Sequence, residues 1–213
     1  MRLSDYFDHT NLDPAASRQT IETLCREALT YEFFSVCIHP VHVRLAKELT
    51  KNSRTKVTTV VGFPLGQNLS GVKAFETTQA VADGADEIDM VINYGALKEG
   101  DLELVKEDLM AVRQACPDQV LKVILETSQL TDEEIITACE LCELIGADFV
   151  KTSTGFRGEG ATTHHVKLMK TYFHGLVKAS GGIRTLDDFR AMVDAGADRI
   201  GASASVAIVN SAK

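Results

Sequence analysis

The sequence predicts an α/β fold, a single-domain (β/α)8 TIM barrel over residues 1–213, and three observations carry that prediction. Short apolar runs alternate with polar turns and amphipathic segments of roughly ten to fifteen residues, the pattern of strand and helix in succession. The tripeptide Gly-Ala-Asp recurs at residues 84–86, 146–148 and 196–198, each time closing a helical pattern and opening a strand. A glycine free to adopt left-handed backbone suits such a helix end, so the repeat marks equivalent turns in the fourth, sixth and eighth units. The chain has no glycine-rich dinucleotide fingerprint and no linker, which favours closure into a barrel over a doubly wound sheet.

Taken in order, the apolar runs place strands at residues 6–8, 33–38, 57–62, 87–92, 121–126, 149–152, 176–179 and 199–202. Helix signals lie between them. Pro14 after Asp13 suits a first helical turn, Ser70 opens a segment running to Ala82, and Asp101 opens one to Cys116 that Pro117 stops. Thr131 followed by Glu134, and Thr185 followed by Asp188, have capping-box spacing.

Composition narrows the function. A net charge of -8 and a pI near 5.3 argue against nucleic acid or an anionic membrane as partner, since both demand a basic face. No apolar run approaches the roughly 18 residues that span a bilayer, and Met1-Arg2-Leu3-Ser4-Asp5 lacks the apolar core of a signal peptide. A cytoplasmic protein is expected. Of five cysteines only Cys139 and Cys142 are closely spaced, on a helical apolar pattern with no second pair to complete a zinc site, so both are read as buried reduced thiols. The pairs His39/His42 and His164/His165 are read as surface or capping residues, because no carboxylate spacing completes either as a metal set.

In a barrel of this kind the reactive face is built from strand C-termini. Those ends are polar here: Asp8-His9-Thr10, Cys37-Ile38-His39, Asp89 within the fourth strand, Lys122 and Glu126 on one parity of the fifth, Lys151, Lys178, and Gly201-Ala202-Ser203. Period-two alternation puts Phe149 and Lys151 on one side of the sixth strand, so Lys151 either faces a polar cavity or reaches to solvent. Lys178 on the next strand would lie about 5 Å away, where its charge disfavours protonation of Lys151 and favours a nucleophilic amine. Asp89 in an apolar strand is expected to pair with a lysine. Gly181-Gly182 before a helix, and Gly201-Ala202-Ser203 before another, leave backbone amides free to hold a phosphate.

These residues resemble the deoxyribose-phosphate aldolases, Schiff-base aldolases of class I, over nearly the whole chain. The matching motifs are Asp8-His9-Thr10-Asn11-Leu12, Val60 to Gly66, Asp83 to Asn93, Leu121 to Thr127, Phe149 to Phe156 and Lys178 to Thr185. The resemblance implies reversible cleavage of 2-deoxy-D-ribose 5-phosphate to D-glyceraldehyde 3-phosphate and acetaldehyde, without metal or cofactor, by a homo-oligomer (dimer or tetramer). It implies Lys151 as Schiff-base lysine, Lys178 as the lysine that tunes it and Asp89 as proton shuttle. It places Gly155, Gly181, Gly182, Gly201 and Ser203 around the phosphate, with Arg184 added from its position, and Asp8, Thr10, Cys37 and Lys122 around the rest of the substrate.

Two departures stand out. Glu159 puts an acid in a loop that the family makes of small residues, and the residues from Val209 to Lys213 include no aromatic tail residue such as some members use in proton transfer, which leaves that task to Asp89, Lys178 and water. Two alternatives stay open at this point: a Schiff-base barrel lyase for another sugar phosphate, and a non-catalytic sugar-phosphate-binding barrel.

Overall fold

The structure is a computed structural model and describes residues 2–212. Met1 and Lys213, which entered the readings of the termini and of the domain's span, lie outside them. Eight parallel strands close into one barrel in chain order: β1 (Phe7–Thr10), β2 (Ser35–Ile38), β3 (Lys56–Val61), β4 (Glu87–Val91), β5 (Val120–Ile124), β6 (Phe149–Lys151), β7 (Leu176–Ser180) and β8 (Arg199–Ala202). β8 pairs back onto β1, with Asp8 opposite Gly201. The helices are α1 (Arg18–Tyr31), α2 (Val43–Thr50), α3 (Ser70–Ala82), α4 (Tyr94–Glu99), α5 (Leu102–Ala115), α6 (Asp132–Leu144), α7 (Thr163–Tyr172), α8 (Leu186–Asp194) and α9 (Ser205–Ser211).

Most boundaries fall within two residues of the sequence pattern, and the misses have local causes. α1 starts at Arg18 rather than near Pro14, because the Ser17 hydroxyl accepts from the Thr20 amide and caps the helix there. The short α4 was not foreseen; Asn93, read as the end of a strand motif, is its N-cap and accepts from the Ala96 amide. Both capping boxes form, Thr131 with Glu134 and Thr185 with Asp188.

The Gly-Ala-Asp repeat does more than end helices. Each aspartate carboxylate accepts from the first amides of the preceding strand: Asp86 from Val57 (2.9 Å), Asp148 from Leu121 (2.8 Å) and Asp198 from Val177 (2.9 Å). Each is also paired with a base on the helix before it or nearby, Lys47, Arg113 and Lys170 respectively. One tripeptide therefore stops a helix, turns the chain and stitches the new strand to its neighbour.

Alternation along the strands separates two environments. Phe7, Val36, Val57, Ile88, Met90, Leu121, Val123, Val150, Val177 and Ile200 point outward and make the main apolar core with the helices. The opposite parity points into the barrel and is largely charged: Asp8, Glu87, Asp89, Lys122, Lys151, Lys178 and Arg199, all buried. Barrels of this class are usually filled by branched apolar side chains, so the charged interior marks where the fold gives up packing for chemistry.

Candidate active site

The strand register assembles the interior charges into one cluster. Asp89 on β4 lies opposite Lys122 on β5, and Lys151 on β6 opposite Lys178 on β7. Lys151 Nζ and Lys178 Nζ both donate to the same oxygen, Asp89 Oδ2, at 2.8 Å, while Lys122 Nζ donates to Oδ1 at 2.8 Å. Lys122 also pairs with Glu87, and Asp8 pairs with Lys178 and with Arg199 (2.8 Å). The Arg199 guanidinium covers the Phe34 ring at 3.5 Å.

Burial opposes the charges of Asp8, Asp89, Lys122, Lys178 and Arg199, and the neighbours overrule it. Burial would raise the Asp89 pKa, but Lys122, Lys151 and Lys178 hold it well below the ordinary carboxylate range. Asp8 is held low in the same way by Lys178, Arg199 and Lys122. Burial would lower the Lys178 ammonium, yet Asp8 and Asp89 keep it above its usual value, so Lys178 is a fixed positive charge at neutral pH. The two lysines were expected side by side, with Asp89 paired to a lysine. The structure places that carboxylate between both of them, because Asp89 shares parity with Glu87 and points into the barrel.

Above this cluster, at the C-terminal ends of the strands, opens a cavity of about 400 Å³. Thr10, Lys151, Gly155, Gly181, Gly182, Gly201, Ser203 and Arg184 line it. Asp8, Cys37, Asp89, Lys122 and Lys178 do not; they lie beneath its floor, buried. Asp8, Cys37 and Lys122, which the resemblance places around the substrate, each sit one or more residues before their strand ends, at the same buried level as Asp89 and Lys178. Burial pushes the Cys37 thiol up, which suits a spacer rather than a reactive group.

The glycines serve two ends. A Cβ on Gly160 would come within 2.5 Å of the Gly181 carbonyl, so the loop after β6 and the turn after β7 touch backbone to backbone. A Cβ on Gly201 would meet Lys178 Cε at 3.1 Å, so Gly201 makes room for the Lys178 stem as well as lining the cavity. Glu159 does not enter the cavity; it is exposed and borders a neighbouring one with Thr127, Gly158 and His165.

Three residues of the site were missed in the sequence. Glu87 and Arg199 open their strands and were given no role, although Glu87 shares parity with Asp89 and Arg199 with Gly201. Glu126 was noted only by parity with Lys122. It is fully buried, burial raises its pKa, and it accepts a hydrogen bond from Thr154 Oγ1.

His164 has a carboxylate neighbour that the sequence did not show: its Nε2 bonds both oxygens of Asp132, and with His165 the three offer ligand atoms within 4.8 Å of one another. A tetrahedral ion with ligands at about 2.0–2.1 Å needs spacings near 3.4 Å. Asp132 opens α6, and both histidines lie in the first turn of α7, so two helix N-termini oppose a cation there. The trio is a surface ion pair with a neighbouring ring. His39 Nε2 contacts the Leu12 carbonyl (3.0 Å), and the five cysteines are free and buried.

Known proteins resemble this chain in sequence and in fold. A deoxyribose-phosphate aldolase of Macrococcus caseolyticus is 54% identical over 211 residues, covering 98% of this chain and 96% of that protein. The solved structure of QR15, an aldolase, superposes with a TM-score of 0.94 at 42% identity, covering 98% of this chain and 95% of that one. A tetrameric deoxyribose phosphate aldolase from Aeropyrum pernix superposes with a TM-score of 0.90 at 34% identity, covering 98% and 90%. The model of the DeoC/LacD family aldolases matches residues 4–209, and the chain belongs to that family.

Proposed function

We propose that the protein is a deoxyribose-phosphate aldolase that cleaves 2-deoxy-D-ribose 5-phosphate reversibly to D-glyceraldehyde 3-phosphate and acetaldehyde through an iminium on Lys151. The observation that carries this reading is that Lys151, of the three interior lysines, is the one that opens on the glycine-lined cavity, while its amine touches an ionised carboxylate. Three carboxylates and four cationic side chains meet in the cluster, so loss of one proton at Lys151 leaves the charges balanced.

The free amine attacks the aldehyde carbon of the open-chain sugar, and loss of water gives the iminium. A base takes the C3 hydroxyl proton, the C2–C3 bond breaks, and its electron pair passes into the iminium to give an enamine and free glyceraldehyde phosphate. Protonation at C2 and hydrolysis then release acetaldehyde and restore the amine. Asp89, ionised and 2.8 Å from both amines, is the group placed to exchange protons with Lys151. Lys178 keeps its proton and holds Asp89 in place. The iminium is the electron sink, so no step calls for a metal or cofactor. The amides around Gly181, Gly182 and Ser203 are the phosphate end, with Gly155 and Arg184 also lining the cavity.

Borohydride reduction in the presence of acetaldehyde or the sugar phosphate tests the assignment. A secondary-amine adduct mapped to Lys151 by mass spectrometry, with activity indifferent to chelators, is the expected result; an adduct on another lysine sinks it.

The proposal extends to self-association and to location. Leu69, Val72 and Phe75 stand exposed along α3 and its start, an apolar stripe that favours a homo-oligomer, and light scattering reads its size. Among the described residues no helix is long and apolar enough to cross a membrane. Five reduced thiols suit a cytoplasmic setting.

A further inference from the structure

Beyond its strand β5 the pairing with β6 goes out of step. The Leu125 amide donates to the Lys151 carbonyl and the Thr127 amide to the Thr152 carbonyl, both at 2.9 Å, so two residues advance on one side against one on the other. Glu126 is the extra residue, a one-residue bulge. Its backbone is left-handed (φ 59°, ψ 55°), which a non-glycine residue adopts only where its surroundings enforce it.

The bulge decides where the carboxylate goes. Unbroken alternation would send Glu126 the way of Lys122, into the barrel. The bulge turns it toward the loop after β6, where it accepts from Thr154 Oγ1 and faces the Thr154 amide, 3.4 Å from each oxygen. Thr154 Oγ1 in turn accepts from the Phe156 amide at 3.1 Å. The carboxylate thereby ties down residues 154–156, all of which line the cavity that Glu126 itself does not reach. Gly181 packs directly against this turn: a Cβ on Gly155 would lie 3.8 Å from its Cα.

We propose that Glu126 is a positioning residue for the reaction, holding the 154–156 turn packed against the Gly181–Gly182 turn so that the two together form the wall at the phosphate end. The proposal rests on the aldolase reading above for its substrate. The strained backbone and the buried carboxylate both follow from it: a glycine would relax the turn but leave the Thr154 hydroxyl and the turn untethered. Deoxyribose lacks the phosphate, so a slack wall affects the phosphorylated sugar most.

The test is steady-state cleavage of 2-deoxyribose 5-phosphate and of plain 2-deoxyribose by the parent, Glu126→Ala, Glu126→Gln, Thr154→Val and the Glu126→Ala/Thr154→Val double variant, with borohydride trapping of each. KM for the phosphorylated sugar is expected to rise about fivefold or more in Glu126→Ala and Thr154→Val, and by a clearly larger factor than KM for plain deoxyribose in the same variant. Glu126→Gln, whose amide oxygen still accepts from Thr154, stays near the parent. The double variant is no worse than the poorer single one, since both break the same tether. Equal losses on the two sugars, a lower KM for the phosphorylated one, or additive single effects would overturn the proposal. Thr154→Val keeps the shape of the side chain and carries the test if Glu126→Ala does not fold. A parent without an adduct on Lys151 defeats the aldolase reading alone; binding of inorganic phosphate then reads the wall directly, weaker in Thr154→Val if the tether matters and unchanged if it does not.

Discussion

Lys151 and Lys178 share one oxygen of Asp89, and that shared oxygen changes what the second lysine is for. In Lys178→Leu, Asp89 is left to Lys151 and Lys122, and Lys151 loses the positive charge beside it. Turnover is expected to fall on the order of a hundredfold, mainly near neutrality, with partial recovery at alkaline pH. A pH–rate profile checks this: a uniform loss with an unmoved acid limb would show that Lys178 positions or relays rather than tunes. Ser203 lies at the other end of the cavity. Ser203→Asp adds a negative charge there, and KM for the phosphorylated sugar should rise far more than for plain deoxyribose; equal losses would place the phosphate elsewhere. At this scale the sequence was legible where chemistry singles a residue out, as a lysine in an apolar run does. It was silent on Asp89 as the hub of three ammoniums, because that depends on register between strands, and on Glu126, because a bulge breaks the very alternation from which its direction was read.

Secondary elements were legible wherever the chain carries its own punctuation. α3 begins and ends at the residues its pattern indicated, and both capping boxes formed, since caps depend on neighbours three residues apart. α1 shows the same device with a substitution. Glu32 takes the left-handed backbone (φ 54°) that glycine takes at 84, 146 and 196, and the Phe33 amide bonds the Ala28 carbonyl as the Ala85 amide bonds that of Ala80. A left-handed non-glycine residue costs about 1–2 kcal/mol, and the exposed pair of Glu32 with Arg2 returns less. Glu32→Gly is therefore expected to stabilise the fold by about 0.5–1 kcal/mol, a gain of roughly 1–4 °C in melting temperature for a chain of this size. A lower melting temperature would mean that the Arg2 contact outweighs the backbone.

The barrel as a whole is wound around charge, and its stability should follow pH accordingly. Asp8 and Asp89 have pKa values depressed on folding. Such groups contribute stability above the unfolded value, near 3.9, and lose it as pH falls through the folded value, so melting temperature should drop as pH is lowered below about 4. Asp8→Asn should melt lower than the parent at pH 7 and lose less between pH 4 and 2; parallel curves would remove Asp8 from the account. The distribution of these charges along the chain has a consequence of its own. Asp8, Glu87 and Asp89 lie on β1 and β4, whereas Lys122, Lys151, Lys178 and Arg199 lie on β5 to β8. The first half-barrel thus presents an inner wall of carboxylates and the second an inner wall of cations. Neither half can close upon a copy of itself without setting like charges face to face, and each finds neutrality only in the other. The split in sign makes the two halves complementary, and the closure that joins them sets Asp8 against Arg199.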